Sequence, residues 1–175
     1  MTNPACATAE NAIFIDDILQ TRTIRYIGVI GSRNLPITYK PKVKEAVKQL
    51  LEKGYAIASG GAIGADNYAL ESLLELGAAN RGIIFSPWQF TSQFPLAVRE
   101  NIKTFMRDGG KVIWGNTPPH APYPAVASGL LSRNLRLVAG AAGLVAFPFG
   151  DSRGTSFSVR HAQQKNIPIR FFQIF

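Results

Sequence analysis

Short runs of apolar residues alternate along the chain with longer segments in which apolar residues recur at helical spacing. The runs at 25–30, 55–58 and 82–85 contain β-branched and aromatic residues, so we expect them to be strands. Between them, residues 41–53 and 68–76 place apolar side chains on one helical face, and a glycine follows each segment. Strands alternating with helices in this way predict a parallel sheet with crossover helices.

The second half of the chain continues the alternation, apart from a proline-rich interruption. Residues 115–127 contain four prolines, so we expect a long loop there and no regular helix. No repeat or interdomain linker is visible, so we expect one domain over 23–175, preceded by an N-terminal extension over 1–22. The other expected elements are a helix at 96–106, a strand at 111–114, a helix at 128–139, a strand at 144–147, a helix ending near Asn166 and a last strand at 168–175.

Composition narrows the class of protein. The chain has 175 residues, of which 46% are hydrophobic and 17% charged, and a chain of this length can fold around its own core. Its single cysteine, Cys6, excludes an internal disulfide, and its two histidines, His120 and His161, lie too far apart in sequence to indicate a zinc site. Residues 1–22 contain three acids and no membrane-length apolar segment, so we expect no signal peptide, no membrane span and a cytoplasmic location.

Positive charge is concentrated in the second half of the chain. The sequence holds 19 Lys and Arg against 11 Asp and Glu, a formal net charge of +8. Residues 1–100 contribute 10 basic and 9 acidic side chains, whereas residues 101–175 contribute 9 basic and only 2 acidic ones. Such a surplus favours a polyanionic partner, because Lys and Arg displace the counterions of phosphates, although basic charge also serves solubility.

Three glycine-bearing turns follow predicted strands and precede helices or helix-like turns. They are Gly31-Ser32-Arg33, the segment 59–66 and the segment 150–156. In an open parallel sheet such turns lie at the carboxyl edge of the strands, so we expect them to meet in one crevice. Glycine lets the backbone approach an anion closely, and the free N–H groups of a helix start attract negative charge. The turns therefore predict a site for a phosphate-bearing ligand, with no metal and no certain cofactor.

Neither of the two common nucleotide fingerprints is present. The glycines between Gly60 and Gly64 lack the Gly-x-Gly-x-x-Gly spacing, and no Gly-Lys-Ser/Thr sequence ends a phosphate loop. An ordinary dehydrogenase or ATPase is therefore disfavoured.

Four motifs in order resemble those of a known family. Gly28-Val29-Ile30-Gly31-Ser32-Arg33, the turn at 59–66, Arg133-Asn134 and Gly154-Thr155 ahead of a helix are together similar to the core of the DprA/Smf DNA-processing proteins, within the SLOG superfamily. This resemblance implies an α/β, three-layer Rossmann-like fold with a mostly parallel sheet and helices on both faces. It also implies that a pocket and the nearby basic surface serve single-stranded DNA and recombinase loading.

The turns and the resemblance together give one set of candidate residues for binding a nucleotide or phosphate. We expect no catalytic residue among them, and we expect a nucleotide- or nucleic-acid-phosphate-binding protein that forms a homo-oligomer. The set is Gly31, Ser32, Arg33, Ser59, Gly60, Gly61, Gly64, Asp66, Arg133, Asn134, Gly150, Arg153, Gly154, Thr155 and Ser156.

Two other functions stay open. The LOG-type phosphoribohydrolases of the same superfamily carry a Pro-Gly-Gly-x-Gly-Thr-x-x-Glu motif with a catalytic glutamate, and Ser158 falls at that position here. A serine cannot stabilise a developing ribosyl cation as a carboxylate does, so cleavage of nucleoside monophosphates is disfavoured. Leu70 is a second departure, since DprA-like chains usually have a histidine at this point. The other alternative is a nucleotide-sensing or assembly module whose pocket controls a partner.

Several residues have both a functional and a structural interpretation. Asp66 could contact a ribose or a base, or it could be a first-turn acid of the following helix. Asp151 could act as an acid or form a turn, and Arg133 could reach a ligand or lie on a solvated helix face. Three aromatic residues could stack on bases or pack within the protein: Trp88, Phe90 and Tyr123.

Overall fold

The computed structural model describes residues 25–172, and within this range it contains one six-stranded sheet in which all strand pairs are parallel. The extension expected over 1–22 and the end of the expected last strand, 173–175, lie outside the described residues. The strands are β1 (Tyr26–Gly31), β2 (Ala56–Ser59), β3 (Gly82–Phe85), β4 (Lys111–Ile113), β5 (Gly143–Phe147) and β6 (Ile169–Phe171).

The α-helices connect these strands as crossovers. None of the helices in the described range is long and apolar enough to cross a membrane. They are α1 (Lys40–Glu52), α2 (Ala65–Glu75), α3 (Leu96–Arg107), α4 (Tyr123–Gly140) and α5 (Arg153–Gln164). Three short 3₁₀ turns complete the described connections: Ile37–Tyr39, Ala79–Arg81 and Thr91–Gln93.

The order of strands in the sheet reverses direction beside β1. The order is β4-β3-β2-β1-β5-β6, so the chain builds outward from β1 to β4 and then crosses back to place β5 on the other side of β1. The ends of β1 and β5 are aligned, with Gly31 opposite Phe147, and the Ser32 N–H donates to the Phe147 carbonyl at 3.1 Å. In parallel α/β sheets a crevice opens at such a reversal, at the carboxyl ends of the strands.

Helices cover both faces of the sheet. Helices α1, α2 and α3 bury one core, represented by Val47, Leu73 and Phe105, whereas α4 and α5 bury another through Leu137 and Ala162. Each fully buried Val, Leu or Phe side chain contributes about 1.5–3 kcal/mol relative to exposure. The α/β, three-layer Rossmann-like fold expected from the sequence is therefore confirmed.

The prediction of a loop over the whole of 115–127 is wrong at its end. Helix α4 begins at Tyr123, where residues 123–127 were expected to be irregular and the helix to start at 128. Pro122 is the N-terminal cap residue and Pro124 lies in the first turn. The first turn of a helix leaves its N–H groups unpaired, so a proline costs no hydrogen bond there. The segment before Pro122 contains no regular helix, as expected.

One substitution tests which side chains stabilise the layer formed by α3. Phe105→Ala removes a ring that is completely buried in the core. We expect the free energy of unfolding to fall by about 3–5 kcal/mol, because the ring leaves a cavity that the sheet cannot fill. Leu96→Ala, on the same helix with a side chain that is 78% exposed, should change it by less than about 0.5 kcal/mol. Urea denaturation of both variants measures the difference, and equal losses would contradict the assigned packing.

Candidate anion-binding site

A cavity of about 550 Å³ opens at the carboxyl edge of the sheet, beside the reversal between β1 and β5. The turns after β1, β2 and β5 contribute to its lining, and α4 supplies a further wall. The three glycine-bearing turns thus meet in one place, because parallel strands bring the turns that follow them to the same edge.

Two thirds of the residues proposed from the sequence line this cavity. The lining members of that set are Gly31, Ser32, Arg33, Gly60, Asp66, Arg133, Asn134, Arg153, Gly154 and Thr155.

The remaining five do not line it. Ser59 is the last residue of β2, and its buried hydroxyl has no hydrogen-bond partner within the described residues. Gly61 packs against Phe94, away from the cavity. Gly64 lies against the backbone of the turn after β1, and Gly150 and Ser156 are exposed.

Sequence reasoning found Arg133 and Asn134 of α4 but missed the rest of the wall that this helix provides. Tyr123, Ala127, Leu130, Leu131 and Asn134 line the cavity at helical spacing. The spacing is visible in the sequence, but it becomes interpretable only when the helix is extended back to Tyr123. The other lining residues outside the proposed set are Ile30, Asn34, Ala62, Leu137, Asp151, Ser152 and Ser158.

A buried charge pair connects the α4 wall to the turn after β2. Arg133 of α4 is 5% exposed, and its Nη1 donates to the carbonyl of Gly60. The same Nη1 lies 3.6 Å from Oδ2 of Asp66, which also accepts a hydrogen bond from the N–H of Ala62 at 3.4 Å. A Cβ at residue 60 would collide with both the guanidinium and the carboxylate, so glycine is required there.

The alternatives left open for Asp66 and Arg133 are resolved in part by this geometry. Asp66 lies in the first turn of α2, where the helix dipole favours an acid. Its carboxylate pairs with Arg133 and accepts a hydrogen bond from the glycine turn after β2. Burial raises the pKa of the Asp66 carboxyl, and the Arg133 guanidinium opposes that shift. Burial lowers the pKa of Arg133, opposed by Asp66. Arg133 is therefore no solvated surface residue, and its Nε finds no acceptor among the described residues.

The start of α5 forms the opposite, polar wall. Ser152 is the cap residue, and its side chain makes no capping bond to the helix backbone. Its hydroxyl instead lies 2.7 Å from that of Thr155. Gly154 and Thr155 line the cavity from the first turn, where unpaired N–H groups and the helix dipole attract an anion. Arg33 and Arg153, both exposed, add mobile positive charge at the same cavity.

Two acidic residues of the described range line the cavity, Asp66 and Asp151. Asp66 is paired with Arg133, and Asp151 lies in an exposed turn. Ser158 is buried, and its hydroxyl donates to the Gly154 carbonyl at 3.1 Å, as a serine within a helix commonly does. Among residues 25–172 no group of three or more His, Cys, Asp or Glu is arranged to hold a metal ion. The lining offers cations and backbone donors on one side and apolar side chains on the other.

A Rossmann-like sheet with an anion-attracting cavity at its strand reversal defines a class of nucleotide- and phosphate-binding proteins. Within that class, the family model for DNA recombination-mediator protein A matches residues 5–173. The chain belongs to this family, which confirms the relationship expected from the four motifs. The relationship to the wider SLOG superfamily stays a prediction.

Solved structures support the same fold. A DNA processing protein A from Helicobacter pylori, described with its single-stranded DNA binding mode, has 22% identity and a TM-score of 0.70 over 86% of this chain. DNA processing protein A (DprA) from Streptococcus pneumoniae has 20% identity and a TM-score of 0.55 over 88% of this chain. The matched regions cover 66% and 60% of those two chains. No curated protein matches in a sequence search.

The charge pair can be tested through its effect on stability. Arg133→Met keeps most of the side-chain volume but leaves Asp66 buried without its counter-charge. We expect the free energy of unfolding at neutral pH to fall by about 3–5 kcal/mol. The double variant Asp66→Asn/Arg133→Met should recover part of this loss, because no buried charge remains.

The pH dependence of the Arg133→Met defect follows from the direction of the Asp66 shift. When folding raises the pKa of a carboxyl, the folded protein loses stability as the pH rises from the unfolded pKa of that carboxyl, about 4, toward its folded pKa. The defect should therefore be smallest in acid and complete above the folded pKa of Asp66. Urea denaturation across pH measures it. A defect independent of pH, or a double variant less stable than Arg133→Met, would contradict the pairing.

Proposed function

We propose that this protein binds single-stranded DNA, with a phosphate of the strand held at the start of α5. The observation that carries the proposal is the convergence of a helix N-terminus with Arg33 and Arg153 on one cavity at the strand reversal. Helix starts and guanidinium groups are the usual protein ligands of phosphate. Membership of the recombination-mediator family and the single-stranded DNA binding mode of the Helicobacter pylori protein support nucleic acid as the source of that phosphate.

The proposed roles differ between the residues of the set. Arg33, Arg153, Gly154 and Thr155 would contact the phosphate directly, whereas Arg133 would stabilise the turn that carries Gly60. Ser32 would act indirectly, because its Oγ accepts the N–H of Asn34 at 3.1 Å and so stabilises the turn after β1. The five residues of the set that do not line the cavity would stabilise the conformation of the turns.

The uneven charge of the sequence supports a small site better than a wide basic surface. Several basic residues of the second half are engaged within the protein. Arg136 donates to the carbonyls of Ser86 and Trp114, and Lys103 pairs with Glu100. Arg153, in contrast, forms no ion pair among the described residues and lines the cavity.

The remaining expectations are proposals of the same kind. We propose a cytoplasmic homo-oligomer in which residues 23–175 form one domain and the bound strand is handed to a recombinase. The chain spans about two thirds or less of the two DNA processing proteins compared, so their complete activity is not carried over.

No contact favours the phosphoribohydrolase alternative. Ser158 offers a hydroxyl where a catalytic carboxylate is required, and Asp66 is paired with Arg133. We expect a nucleoside monophosphate incubated with the protein to be recovered intact. Chromatography for released base measures this, with a phosphoribohydrolase as the positive control. Release that increases with protein concentration and is lost in Asp151→Asn would favour the enzyme instead.

A salt series tests the proposed phosphate contacts. Fluorescence anisotropy of labelled oligothymidylate should give an affinity that falls as salt rises, with a slope of about 0.7 per phosphate contacted. Arg33→Met and Arg153→Met should each weaken binding and lower the salt slope by about 0.7, the loss of about one phosphate contact. An affinity indifferent to salt, or no binding at low salt, would overturn the proposal.

The matched control for this series is Arg107→Met. Arg107 is an exposed arginine of the same basic half, paired with Asp108 at the end of α3, at the opposite edge of the sheet. This variant should bind as tightly as the wild type and with the same slope. An equal loss in the control would mean that overall charge, and not the cavity, determines binding.

A further inference from the structure

A second cavity, of about 330 Å³, lies next to the first turns of α4. Its lining includes Trp88, His120 and Val126, and no acidic residue of the described range 25–172 is part of it. Val126 lies between Tyr123 and Ala127, which line the main cavity. The start of α4 therefore separates two cavities at the same edge of the sheet.

Hydrogen bonds keep the walls of the second cavity in place. Oε1 of Gln93 accepts the N–H groups of Gln89 and Phe90, each at 3.0 Å, and its Nε2 donates to the Thr117 carbonyl at 2.9 Å. Trp88 also forms an isolated parallel β-bridge with Thr117. The loop after β3 and the loop after β4 are thus tied together, and the cavity between them is preformed.

His120 has a backbone conformation that residues other than glycine rarely adopt. Its φ is +59°, in the left-handed region, and its side chain is exposed. Such a conformation costs about 1–3 kcal/mol and is often associated with a functional site. Here it follows Pro118 and Pro119, which restrict the loop that presents the imidazole.

Tyr123 lines the main cavity at the start of α4, with its ring in solvent. It is 79% exposed, and no hydrogen bond or aromatic contact engages it within residues 25–172. Pro122 and Pro124 flank it and fix the backbone at the start of α4. The ring is therefore accessible to a planar partner, and an aromatic face of this size is suited to stacking on a base.

We propose that the second cavity is a further base-binding subsite for the same DNA strand, which passes from the main cavity over the ring of Tyr123 to Trp88 and His120. This inference rests on the proposed function, since the phosphate at α5 fixes one point of the strand. Aromatic side chains are the usual stacking surface for unpaired bases, and basic groups such as Arg33 and Arg153 of the main cavity are their usual companions along the backbone of the strand. The diameter of a helix with its side chains, about 10–12 Å, separates the cavities, so a strand of several nucleotides is needed to reach both.

Trp88 provides a direct probe of this subsite. The sequence contains two tryptophans, Trp88 and Trp114, so Trp114→Phe leaves Trp88 as the only one. In this variant, oligothymidylates long enough to cross α4 should quench Trp88 emission. At the same nucleotide concentration, thymidine monophosphate should leave the emission unchanged, because a base that is not joined to the phosphate held at α5 binds the second cavity only weakly.

Substitutions of Tyr123 and His120 test the proposed path of the strand over the start of α4. Tyr123→Ala should weaken binding of a long oligothymidylate about tenfold without changing the salt slope, because stacking involves no counterion release. Tyr123→Phe should retain the affinity. His120→Asn, which tolerates the left-handed backbone, should weaken long oligonucleotides and leave thymidine monophosphate unaffected. Leu96→Ala, exposed and outside both cavities, is the control.

The two proposals fail in different ways. Tight, salt-dependent binding of oligothymidylate with unchanged Trp88 emission and full affinity of His120→Asn would overturn the second subsite and leave the proposed function intact. Absence of anisotropy change with every oligonucleotide would overturn the proposed function itself. Quenching of Trp88 by thymidine monophosphate at the low concentration at which a long oligothymidylate quenches it would also contradict the proposed path, because the second cavity would then bind a base without help from the phosphate held at α5.

Discussion

The contact of Arg133 with Gly60 and Asp66 joins two layers of the protein that the sheet otherwise separates. Arg133 comes from α4 on one face, and Asp66 comes from α2 on the other. Their charges are removed from water, which is costly, and each depends on the other to offset that cost. The position of α4, and with it the apolar wall of the main cavity, therefore depends on a polar interaction at the edge of the sheet. A binding surface made from both layers needs such a connection.

The fold could be predicted from the sequence in most of its parts. Apolar residues recur with one period in the helices and another in the strands, and glycines mark the ends of both. The order and type of the secondary-structure elements therefore follow from the sequence. The start of α4 could not be predicted in the same way. Four prolines indicate a loop, whereas proline in a first helical turn indicates a helix start, and the sequence pattern alone does not decide between the two.

The candidate site shows a similar division. Turns after parallel strands must meet at one edge, so Arg33, Gly60 and Thr155 could be brought together by topology alone. The direction in which each backbone carbonyl or hydroxyl points depends on dihedral angles that sequence patterns do not encode. This is why Gly61 packs against Phe94 and Ser156 faces solvent although both lie in the predicted turns. The role of Arg133 as a buried support was equally hidden, since a motif says nothing about burial.

Helix α4 also has a mechanical consequence. Tyr123 begins the helix and Arg133 lies ten residues further along it, about 15 Å at the rise of an α-helix. A ligand pulled at Tyr123 would load a continuous run of helical hydrogen bonds, and the buried ion pair of Arg133 connects this helix to α2 on the other face of the sheet. The force would enter the body of the protein and not a flexible loop.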